Sequence, residues 1–86
     1  MNDVLDELVD KKIKNILNVF IKNKDELFHL KKISEESDVP IASSFRIIKR
    51  LVRLGFITTI RINKFKVYKL AGNKKTKLLV NFWKNG

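Results

Sequence analysis

Eighty-six residues suffice for a single domain, and a chain this short buries only about 60 to 65% of the surface its unfolded form exposes, so the core must be compact. The chain has no cysteine, which excludes a disulfide framework, a thiolate metal site and a thiol nucleophile. No apolar run approaches the roughly 18 residues that would span a bilayer, and the opening residues, acidic from Asp3, do not resemble a signal peptide; the expectation is an intracellular protein.

The formal charge of +10 is unevenly placed. All nine acidic residues occur by Asp38, beside seven of the 19 basic ones, for a net −2 in residues 1–38. Residues 39–86 carry twelve Lys or Arg and no Asp or Glu, a net +12. Soluble surfaces usually intersperse both signs, so a half-chain without a carboxylate implies a polyanionic partner, nucleic acid ahead of an anionic membrane surface.

In chain order, Asn2 or Asp3 can cap a first helix over about residues 3–22, with Asp6 and Glu7 in the first turn, where the helix dipole favours carboxylates. Its apolar positions (Leu5, Leu8, Val9, Ile13, Ile16, Leu17, Val19, Phe20) cover roughly half the circumference, wider than the ~100° stripe one docking requires. Part of that face, Leu5, Val9 and Ile13 in particular, is therefore expected to meet a second copy of the chain; the alternative is that all of it packs within one domain. Asn23-Lys24-Asp25 is a connector, and residues 27–30 form a brief strand leading into a second helix over 31–37, with Leu30 and Ile33 turned inward. His29, the single histidine, has apolar neighbours and is read as structural.

Val39-Pro40 then punctuates the chain, since proline biases its predecessor away from helix, and Gly55 supplies the left-handed residue on which a helix ends. Between them, at about 100° per residue, Ile41, Ile47, Ile48, Leu51 and Val52 share one side. Arg46, Lys49, Arg50 and Arg53 fall within an arc of about 100° on the other, with Ala42 and Ser43 on or beside it. Phe45 lies at the margin and is assigned partly to the core. Residues 56–70 alternate as hairpin strands do. A turn at Asn63-Lys64 pairs Ile62 with Phe65, Arg61 with Lys66 and Ile60 with Val67, on a ribbon bearing Arg61, Lys64, Lys66 and Lys69. Asn63 suits a type I′ turn, although glycine rather than Lys64 would ordinarily follow. Ala71-Gly72-Asn73 breaks the strand before a last helix over about 74–84, with Leu78, Leu79, Phe82 and Trp83 on one side and Lys74, Lys77 and Lys84 opposite. So short a helix is marginal alone, so Phe82 and Trp83 must bury against the first helix, a partner copy, or both. A membrane-surface role for this basic segment is the weaker reading, because the segment is short.

The element order, helix, short strand, helix, turn, helix, two-stranded wing, helix, resembles winged helix-turn-helix proteins: α+β, mainly helical, with a three-helix core. The stretch ISEESDVPIASSFRIIKRLVRLGFI resembles the DNA-binding part of IclR-type regulators and, more loosely, ArsR and MarR types. The likeness rests on Ile33, Glu35-Glu36, Val39-Pro40, Ser43, Arg46, Ile48, Leu51 and the run Leu54-Gly55-Phe56-Ile57, with Tyr68-Lys69-Leu70 as the return strand. Ser44 departs from it, standing on the apolar side where such proteins carry a small aliphatic residue. IclR-type regulators also carry a large effector-binding domain that these residues do not include, so small-molecule sensing is not carried over.

The resemblance implies a helix-turn-helix over about 31–54, a wing over 56–70, and insertion of the third helix into the major groove of double-stranded DNA. Ala42, Ser43, Arg46 and Lys49 would then read bases, Arg46 by a bidentate contact to guanine, while Phe45 is read as partial core ahead of the alternative, a contact to a thymine methyl. Arg50, Arg53, Arg61, Lys64 and Lys66 would hold phosphates. Useful specificity calls for two copies on a pseudo-palindromic site, through a homodimer interface formed by Leu5, Val9, Ile13, Leu78, Phe82 and Trp83. The expectation is a small cytoplasmic repressor, on the nucleoid when bound, with no cofactor, metal, membrane or effector partner. The alternatives are a protein-interaction module of transcription or replication machinery and a sequence-independent architectural DNA-binding protein. An enzyme is not expected: the chain has one unpartnered histidine and no glycine-rich phosphate loop, and Glu35 and Glu36, adjacent in sequence, do not share a helix face.

Overall fold

The computed structural model describes the backbone of residues 3–85 and the side chains of residues 11–83. Four helices and one hairpin follow in the order α1 (Asp3–Lys22), α2 (Leu30–Ser37), α3 (Ile41–Arg53), β1 (Ile57–Ile62), β2 (Phe65–Leu70) and α4 (Lys74–Asn85). The expected cap residue Asn2 lies outside the described residues, as do the side chains of Leu5, Leu8, Val9 and Lys84.

Within α1, Ile16, Leu17, Val19, Phe20 and Ile21 are buried and join Phe28, Ile33, Val39, Ile48, Leu51, Ile57, Tyr68, Leu70 and Val80 in one core. The C-terminal half of α1 therefore uses its wide apolar arc within its own chain, on α2 and β2. Asn23 closes the helix: its Nδ2 donates to the Val19 carbonyl at 3.0 Å and its backbone N–H to Phe20 at 3.2 Å, satisfying acceptors that a helix end leaves open. The brief strand contracts to a single bridge. Phe28 and Tyr68 exchange both backbone bonds at 2.8 Å, and the Phe28 ring meets Phe20 edge-on at 5.4 Å.

Both helices of the helix-turn-helix end on a left-handed residue. After α2 it is Asp38 (φ 58°), with the Val39 N–H returning to the Ser34 carbonyl at 3.2 Å. After α3 it is Gly55 (φ 89°), with Gly55 N–H on Val52 and Phe56 N–H on Leu51, both at 3.0 Å, the paired bonds of a Schellman motif. The turn between them is held by hydroxyls. Ser44, fully buried, donates to the Val39 carbonyl at 3.1 Å, Ser34 donates to the same oxygen at 2.6 Å, and Ser37 donates to Ile33 at 2.6 Å. Ser44 thus takes the aliphatic position because the Val39 carbonyl, in the turn between the helices, accepts its proton.

The hairpin has the expected register, Ile57↔Leu70 through Ile62↔Phe65. Its tip differs. Asn63 takes positive φ (58°) but Lys64 does not, so the turn lacks the two left-handed residues of type I′, as suits a Cβ-bearing lysine.

The start of α4 is fastened to the end of α3. Asn73 caps the helix by accepting from Thr76 N–H at 2.8 Å, while its Nδ2 donates to the Gly55 carbonyl at 2.8 Å and Lys75 Nζ to the Leu54 carbonyl at 2.7 Å. Beyond that, α4 turns Thr76, Leu79, Val80 and Trp83 inward, and Trp83 Nε1 donates to Asn18 Oδ1 at 3.1 Å. Leu78 and Phe82 are not on that side. They are 63% and 76% exposed, because the apolar arc of α4 is too wide for one contact and the cap contacts to Leu54 and Gly55 fix which part faces the core.

Candidate nucleic-acid interface

Helix α3 presents its two faces as its sequence requires, with one exception. Ser44, Ile48 and Leu51 are buried, Ile47 and Val52 half-buried, and Arg46, Lys49, Arg50 and Arg53 exposed. Burying one apolar face of a helix fixes the direction of the other, so the core holds the four cations toward solvent. None of them is in an ion pair among the described residues, where the ion pair found is Lys32–Glu36 on α2 at 3.3 Å. The exception is Ile41. Assigned by periodicity to the core side, it is 52% exposed, because it occupies the first turn, where α3 emerges from the Pro40 corner.

The remaining expected base-reading and phosphate residues are exposed, Ser43 excepted. Ala42 is exposed at the start of α3, and Ser43 is half-buried. Phe45, expected to lie partly in the core, is instead exposed (40%) and not part of it, and the Lys49 ammonium sits 5.4 Å from its ring centroid. On the wing, Arg61, Lys64 and Lys66 are all exposed. Tyr68 commits both backbone groups to Phe28, which makes its pair with Thr59 non-hydrogen-bonded. By alternation the same holds for Arg61↔Lys66, the arrangement in which opposite side chains stand closest. Two like charges directly across a ladder are destabilising unless an anion lies between them.

Lys12 was not singled out from sequence. It joins Ile13, Ser43, Arg46, Ile47 and Arg50 around a shallow groove of about 290 Å³ between α1 and α3. Three cations from two helices thus converge on one depression beside the α3 surface. No local pattern could have shown this, since Lys12 and Arg46 are brought together by the packing of α1. A wider concavity of about 620 Å³ lies between the hairpin and α4, floored by Ile60, Leu70, Ala71 and Val80, and includes no residue of α3. Of the expected dimer residues that are described, Ile13 is half-buried in the cationic groove, Trp83 is half-buried on α1, and Leu78 and Phe82 stand in solvent.

No protein-family model matches the chain, and no curated protein matches it. Solved structures do. HlyU from Vibrio cholerae superposes with a TM-score of 0.67 at 15% identity, over 92% of this chain and 88% of that one. A MarR family transcriptional regulator from Silicibacter pomeroyi gives 0.66 at 14% identity over 84% of this chain. A possible transcriptional regulator from Methanosarcina mazei gives 0.62 at 10% identity over 99%. The chain is a winged helix-turn-helix. It spans about half the length (49%) of the Silicibacter regulator and most of the other two (88% each). In this winged helix, α2 and α3 form the helix-turn-helix, β1 and β2 the wing, and α1 and α4 the flanking helices.

Proposed function

We propose that this winged helix is a sequence-specific, duplex-DNA-binding transcription regulator and a small repressor, with α3 in the major groove and the wing on the flanking phosphates. The observation that carries this reading is the α3 surface: Arg46, Lys49, Arg50 and Arg53 exposed on one face, on a helix about 20 Å long, in a half-chain that contains no carboxylate. A cylinder of that length fits a groove about 12 Å wide, and an exposed guanidinium near its start matches the O6 and N7 acceptors of guanine. Arg46 reads a base, with Ala42, Ser43 and Lys49 beside it. Arg50, Arg53, Arg61, Lys64 and Lys66 take phosphates, and Lys12 adds a further phosphate contact from α1. The facing Arg61–Lys66 pair supports the same partner, because a phosphate between the two relieves their repulsion.

Regulators of the structural neighbours' kind give this reading its context, as does the exposed apolar side of α4. Two copies on a pseudo-palindromic site, about one helical turn apart, would pair through Leu78, Phe82 and the N-terminal part of α1. Selection from a random duplex library tests the reading: enrichment of one motif is expected. Failure to bind any duplex at low salt would assign the fold to protein interaction instead, and strong salt-dependent binding without a motif would make it an architectural DNA-binding protein.

A further inference from the structure

The start of α3 carries apolar surface that its own core does not cover. Ile41 is 52% exposed and Phe45 40% exposed, and Ala42 beside them is exposed as well. Residues 41 and 45 are one turn apart on the same strip of the helix. Helical side chains lean toward the N-terminus, so the Phe45 ring lies over the turn that Ile41 begins. Lys49 Nζ stands over the Phe45 ring, 5.4 Å from its centroid, in a cation–π contact.

This strip borders Arg46 and Lys49 on the surface assigned to DNA. A second copy of the same face would bring the cations of two helices together, so charge favours a polyanion as its occupant. Ile41, Ala42 and Phe45 offer neither donor nor acceptor. In the major groove, the apolar group that a base pair presents is the C5-methyl of thymine.

We infer that Ile41, Ala42 and Phe45 form an apolar ridge that reads thymine methyl groups next to the base contacted by Arg46. The inference rests on the proposed DNA-binding function and deepens it by naming the bases recognised: the preferred site carries thymine at one or two fixed positions beside a guanine.

The test needs no altered protein at its first step. On the selected duplex, each thymidine is replaced in turn by deoxyuridine, which removes the methyl and leaves pairing intact. At one or two positions the wild-type chain is expected to bind about fourfold more weakly, the effect of losing one buried methyl, and to be indifferent elsewhere. Phe45→Ala and Ile41→Ala, at exposed positions, should each bind thymidine and deoxyuridine equally at one of those positions. Indifference of the wild-type chain at every position, while Arg46→Ala still loses a guanine preference, would overturn the ridge and leave the regulator intact. Undiminished methyl discrimination in both variants would also overturn it. Failure of the wild-type chain to bind any duplex would remove both.

Discussion

Two residues show how local chemistry sets the helix-turn-helix. Gly55 has positive φ, and a Cβ there would meet nothing within 4 Å, so its requirement is conformational rather than steric with respect to neighbours. Gly55→Ala should therefore lower stability by about 1–2 kcal/mol, read as a lower urea midpoint at unchanged slope. Ser44 is fully buried, yet its acceptor, the Val39 carbonyl, keeps a second donor in Ser34. Ser44→Ala should cost no more than about 1 kcal/mol, because no buried acceptor is orphaned. Ser44→Val, the aliphatic choice, should cost more, about 1–3 kcal/mol, by overpacking. Equal losses for the two variants would show that the hydroxyl network, not the volume, decides that position. Pro40 and Gly55 were legible as punctuation because their backbone preferences are their own. The left-handed Asp38 was not, since an aspartate reaches that region only when the following chain makes it do so, here through Val39 N–H on Ser34.

Among the elements, the wing was the most legible. Its register follows from the two-residue turn at Asn63-Lys64, which pairs Ile62 with Phe65; alternation is only approximate, since the adjacent Val67 and Tyr68, on opposite faces of the ribbon, are both buried. The helices were legible in extent but only partly in orientation. A periodic pattern gives the apolar arc and not the portion of it that is used: α4 buries Leu79 and Trp83 and leaves Leu78 and Phe82 outside, and α3 leaves Ile41 uncovered for want of a neighbour at its first turn. Lys12→Ala, Lys64→Ala and Lys66→Ala should each weaken binding to all duplexes alike and reduce the slope of log affinity against log salt by about 0.9. A variant that changed sequence preference at an unchanged slope would be a base reader instead.

At the scale of the whole molecule, the core joins α1, α2, α3, the hairpin and α4, and the Asn73 and Lys75 contacts to Gly55 and Leu54 tie α4 to the end of α3. The spare apolar surface of α4, Leu78 and Phe82, lies outside this core. Sedimentation of the full chain at micromolar concentration should show a dimer that Leu78→Asp with Phe82→Asp converts to a monomer of unchanged helix content; a wild-type monomer would contradict the assigned pairing. The cationic groove of Lys12, Arg46 and Arg50 also belongs to this scale, which is why neither segment alone revealed it. Whether α3 enters the major groove and Arg46 reads guanine there is decided by interference from N7-methylation of guanine on the selected duplex. The expected result is that methylation at one guanine per half-site blocks the wild-type chain and has little effect on the residual binding of Arg46→Ala. Wild-type binding indifferent to N7-methylation at every guanine would contradict it.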